Sequence, residues 1–125
     1  MKGRRSLGDV VALLCAEDRA FDLAVCLGTL GKLPATQVLK ALLAPDIRGI
    51  AVVCRSLRLD DPAFKPIADL RARRLKPEPG QAERDQRIYE ECSDVVAERA
   101  MATLRERLSG VRADAAADRS ASLVS

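Results

Sequence analysis

The chain has 125 residues, enough for one domain with a modest core. Apolar residues make up 48% and charged residues 31%, which excludes a chain that is disordered throughout; the 2% aromatic content argues against a sheet, because strands enrich aromatic and β-branched side chains. Net charge is +3 and there is no His, so the commonest general base and the commonest metal ligand are both missing.

Residues 1–5 form a basic start. Ser6 is a helix cap, with Asp9 in the capping-box position and Val10, Val11, Leu13, Leu14 and Cys15 making a short apolar helix behind it. Asp18 opens a second helix, from about Arg19 to Leu30, that ends at Gly31. Pro34 opens a third, which runs to Leu43 and stops before Pro45, since the residue before proline avoids helical dihedrals. Asp46 opens a fourth, Ile47 to Leu57. Asp60-Asp61-Pro62 opens a fifth, which runs to Leu75 and closes on Arg71, Arg73, Arg74 and Lys76; cations there suit the negative end of the helix dipole.

In the stretch Phe21 to Leu75 the apolar positions recur at three- and four-residue spacing. The predicted fold is therefore all-α. Residues 1–75 form a helical-hairpin core, either HEAT-like or a small bundle. Residues 76–80, with Pro77, Pro79 and Gly80, form a linker. Residues 81–108 form one long C-terminal helix on the core, with a stripe of Ile88, Cys92, Val95, Val96, Ala100, Leu104 and Leu108. At ~1.5 Å per residue that helix is roughly 40 Å long, more than the short hairpins cover. Residues 109–125 are rich in Ala, Ser, Asp and Arg and are expected to be disordered.

The constellations that carry chemistry are absent or better explained by structure. Cys15, Cys26, Cys54 and Cys92 form no C-x-x-C pair; Cys26 and Cys54 sit among apolar residues on helix faces and are expected to be core thiols, not a disulfide or a metal site. Asp60-Asp61 reads as a cap and Glu90-Glu91 as a solvated face. Gly28 and Gly31 lack the Lys-Ser/Thr that a phosphate loop requires. No catalytic, cofactor-binding or metal-binding residue is assigned, and no enzyme activity is expected. Nothing near Met1 resembles a secretory signal and no apolar run approaches ~20 residues, so a cytoplasmic protein with no membrane partner is expected.

The run Gly31-Lys32-Leu33-Pro34, then Val38-Leu39-Lys40-Ala41-Leu42-Leu43, then Asp46, resembles a bacterial family known as "domain of unknown function 2336". The stretch Leu57, Leu59, Asp60 and Phe64 is similar to it as well. The likeness covers about half of the chain and the later part of that family's longer domain. Where its members have Gly-Asp and a pair of aromatics, this chain has Pro45-Asp46 and Ile47 with Ile50. The resemblance implies a helical, repeat-like scaffold and carries no catalytic residues.

The leading expectation is a small protein-interaction scaffold or adaptor. Its docking surface is expected at the far end of the long helix, Met101, Leu104 and Leu108, for another protein or a second copy. Arg71, Arg73, Arg74 and Lys76 are the competing site, as a contact for an acidic partner. The alternative function is a nucleic-acid-binding regulator of helix-turn-helix type, built on Pro34 to Leu57 with Arg48, Arg55 and Arg58 after the turn. The residues that would read bases there, Ile47, Gly49 and Ile50, are poorly suited to it.

Overall fold

The computed structural model describes residues 6–108. Seven helices and no strand occur among them: α1 (Leu7–Ala16), α2 (Ala20–Gly31), α3 (Ala35–Leu43), α4 (Arg48–Ser56), α5 (Asp61–Leu75), α6 (Gln81–Glu91) and α7 (94–108). The tail expected to be disordered, 109–125, lies outside the described residues, as does the basic start.

Local chemistry sets the boundaries. The Ser6 hydroxyl accepts from the Asp9 amide at 3.2 Å and starts α1. Gly31 stays inside α2, and Lys32 takes the left-handed conformation after it (φ 58°). The glycines of α2 serve close packing instead. A Cβ on Gly28 would stand 2.7 Å from the Leu33 carbonyl oxygen, and one on Gly31 would stand 3.4 Å from the Met101 side chain. Pro62 falls in the first turn of α5, where its missing N–H costs nothing.

The helices form a bundle. α1 lies chiefly against α5, α5 also carries α6, and α2 pairs with α3, while α4 meets α2, α3 and α6. The contact of the first helix with the fifth is what separates this arrangement from a stack of hairpins, in which each unit touches only its neighbours. Val11, Leu23, Leu27, Val38, Leu42, Ile50, Phe64, Ile67 and Leu70 are fully buried. At one end of this core the Phe64 and Tyr89 rings stack with centroids 4.0 Å apart and 5° between planes. The Arg55 guanidinium covers the other side of Tyr89, 4.2 Å from its centroid. The Tyr89 hydroxyl donates to the Leu59 carbonyl at 2.6 Å. The segment 76–80 is the short turn between α5 and α6.

The expected single helix over 81–108 is corrected: it is two helices broken at Cys92-Ser93. Cys92 is extended (φ −73°, ψ 119°), and the Ser93 hydroxyl accepts from the Val96 amide at 3.1 Å to cap α7. After the break α7 packs on the domain instead of overhanging it, with Ala97 and Met101 buried and Arg105 bonded to Gly31. The inward residues are accordingly Asp85 and Tyr89 on α6, then Ala97 and Met101 on α7. Ile88, Val95 and Val96, expected in the buried stripe, are exposed. So is Phe21, at 56%, although its neighbours Leu23, Ala24 and Leu27 are buried.

Candidate functional site

The final carbonyls of an α-helix have no intrahelical donor and sit at the negative end of its dipole. In this bundle arginines from other helices supply the missing donors. Arg71 is the most enclosed of them, 2% exposed. It follows Phe64, Ile67 and Ala68 on the inward stripe of α5, so its stem lies in the core and its head reaches the end of α3. Nη1 donates to the carbonyls of Leu42 (2.6 Å) and Ala44 (2.7 Å), and Nη2 to that of Pro45 (3.2 Å). Its Nε lies 3.5 Å from Oδ2 of Asp85, an ion-pair separation with no hydrogen bond on Nε. Asp85 is itself 2% exposed and accepts from Nε2 of the Gln81 side chain at 2.8 Å. The charges of this buried pair compensate each other.

The same device recurs. Arg73 donates to the Cys15 carbonyl at the end of α1 (2.7 Å). Arg74 donates to the Asp18 carbonyl (2.8 Å) and to its carboxylate (3.2 Å). Arg105 places Nε and Nη2 on the Gly31 carbonyl at the end of α2 (3.0 and 2.7 Å). Arg55 donates to the Tyr89 carbonyl at the end of α6 (2.7 Å) and to Asp61 (2.6 Å). The result is that the termini of α1, α2, α3 and α6 are each tied to an element distant in sequence.

The residues singled out from sequence fall as follows. Arg71 is withdrawn from solvent, which removes it as a contact for an acidic partner. Arg73 and Arg74 are exposed, but their donors already hold backbone carbonyls. Lys76 is exposed and takes the left-handed conformation that ends α5 (φ 49°). Met101 is fully buried against α2, and Leu104 and Leu108 are half-buried against the core, so these three do not form a docking surface. The helix break is the reason: it directs this stripe inward. Arg55, singled out as a nucleic-acid contact, is instead engaged by Asp61 and Tyr89; Arg105 and Asp85 are structural residues that the sequence does not single out.

A cleft of about 420 Å³ opens between α5 and α6, walled by Pro45, Leu75, Pro77 and Gln81, with Arg71 and Asp85 at its base. That pair is closed on itself and has no free charge to present. Among the described residues no group of His, Cys, Asp or Glu is arranged to hold a metal ion. All four cysteines are free thiols. Burial pushes the Cys15 thiol up to about 11 and raises Cys54 and the Tyr89 phenol as well, which keeps all three protonated and unreactive near neutrality. No described helix is long and apolar enough to cross a membrane.

Apolar side chains stay exposed in several places, among them Phe21, Val25 and Leu30 on α2 and the outer face of α7. Val95 and Val96, in its first turn, are each 59% exposed. Arg99, Ala102, Thr103 and Glu106 continue that face and are exposed as well. Comparisons with family models, with curated proteins and with solved structures find nothing that matches this chain.

Proposed function

We propose that this chain is a small helical scaffold for protein–protein contact, working in the cytoplasm without a cofactor, and that it docks through the outer face of α7. The observation that carries the reading is the pair Val95-Val96, two adjacent β-branched apolar side chains left in water where a helix's first turn ordinarily places polar ones. Four free thiols suit a reducing compartment. Phosphate binding has less support. Arg48, Arg55 and Arg58, which follow the α3–α4 turn, pair with Asp46, with Asp61, and with Asp94 and Glu98. No reaction is proposed, since no group of side chains among the described residues offers a nucleophile beside a base.

The test is capture of native binding proteins by the immobilised chain and by Val95→Glu/Val96→Glu, with circular dichroism confirming that both are folded. The double variant is expected to lose the bound proteins. If it stays folded and keeps them all, α7 is not the docking face.

A further inference from the structure

Ala97, Met101, Leu104 and Leu108 define the inward side of α7. The side turned away from the core carries Val95, Arg99, Ala102 and Glu106, at spacings of four, three and four residues, with Thr103 beside them. All five are exposed. Arg99 and Glu106 enter no ion pair among the described residues. Their helical neighbours explain why. Three and four residues from Arg99 stand Val95, Val96, Ala102 and Thr103; within the described helix, three and four from Glu106 stand Thr103 and Ala102. None carries an opposite charge. Seven residues apart, at ~1.5 Å per residue, Arg99 and Glu106 stand roughly 10 Å from each other, too far to pair within the helix.

We propose that this face binds the same face of a second copy of the chain, with the two α7 helices antiparallel about a two-fold axis between Ala102 and Thr103. The proposal rests on the reading of α7 as the docking face and names its occupant. In that register Arg99 of each copy faces Glu106 of the other, so one two-fold axis satisfies four charges. The small side chains of Ala102 and Thr103 lie at the crossing point, where they let the helix axes approach to about 8 Å. The two Arg99–Glu106 pairs flank that crossing on either side, in water. Such exposed pairs contribute little affinity and instead set register and partner choice. One helix pair also buries less than the ~1,200–2,000 Å² of a stable interface, so the dimer is weak and depends on concentration.

Sedimentation equilibrium across a concentration series at low ionic strength tests this directly. The parent is expected to dimerise. Arg99→Glu alone and Glu106→Arg alone are each expected to weaken self-association about tenfold or more, because each sets like charges face to face twice. Mixed in equal amounts, the two single variants should associate with each other as the parent does, since both cross-pairs are then attractive. The double variant Arg99→Glu/Glu106→Arg should dimerise like the parent. A parent that stays monomeric at the highest attainable concentration overturns the proposal, and so does a dimer indifferent to either reversal or a mixture that does not associate. These outcomes are separable from failure of the docking reading, which is decided by whether Val95→Glu/Val96→Glu still captures other proteins.

Discussion

Arg71 and Arg99 are the same side chain in opposite circumstances. Arg71 lies in the core, where three carbonyls and a buried carboxylate leave it no charge to offer. Arg99 lies on the outer face of α7 with only apolar and small neighbours on its own helix. The difference comes from register. Arg71 occurs where α5 places Phe64 and Ile67, so burial forces it to find acceptors, and the unbonded carbonyls ending α3 are the nearest. Arg99 occurs opposite Met101, where water serves it. Arginine content therefore says little about what this protein attracts; the position of each arginine on its helix says more.

The comparison can be broken most decisively at Arg71. Arg71→Leu leaves three carbonyls without a donor and Asp85 buried without its cation, and should cost about 3–5 kcal/mol in urea unfolding. Arg71→Leu/Asp85→Leu should recover part of that loss, since no lone charge is then enclosed. A cost for the single variant no larger than that of a surface change would mean that the clasp is idle.

Burial of the thiols predicts a pH dependence of the next size. Cys15 is protonated in the fold up to about 11, whereas its ordinary value is 9.0. Its contribution is therefore fully present below pH 9.0 and is lost as pH rises through about 11. Cys54 and Tyr89 shift in the same direction and add to the loss. Unfolding midpoints measured across that window should show the parent's advantage over Cys15→Ala shrinking by on the order of 2 kcal/mol.

Arg105 tests the clasp at a half-exposed position. Arg105→Ala removes both donors from the Gly31 carbonyl and should cost about 1–2 kcal/mol, with amide exchange accelerated at the end of α2. Arg99→Glu should change thermal stability by no more than ~0.5 kcal/mol while altering association. A loss of stability at Arg99 equal to that at Arg105 would erase the distinction between holding and presenting arginines.

Much of the fold is legible in the chain because its punctuation is strong. Ser6, Pro34, Pro45 and Asp60-Asp61-Pro62 mark helix ends by backbone chemistry that packing does not override, whereas α2 departs from its expected signals, since Asp18 takes the left-handed conformation and Gly31 stays inside the helix. The break at Cys92-Ser93 is harder to see. Apolar spacing of three and four residues continues across it, through Ile88, Cys92, Val95 and Val96, and a lone serine cap inside such a pattern weighs little against it. Missing it shifts the buried face, because Tyr89, Ala97 and Met101 point inward in place of Ile88, Val95 and Val96. The clasps had one signal in the sequence. Arg71 and Asp85 each occupy an apolar register, three or four residues from Ala68 and Tyr89. Which carbonyls they find depends on tertiary geometry that no local pattern contains.

The bond from Arg105 to Gly31 spans 74 residues. A ribosome adding roughly 5–20 residues per second delivers Arg105 about 4–15 seconds after Gly31. Through that interval α2 has emerged with its terminal carbonyl unbonded and with the face that Met101 will cover still wet. Helices form in microseconds or less, but helices of 12 and 9 residues such as α2 and α3 are marginal in water until partners cover them, so they wait on their seal. Completion of this bundle is thus paced by translation, and slow codons between the two positions would lengthen the time during which a half-built core is open to chaperones and to other nascent chains.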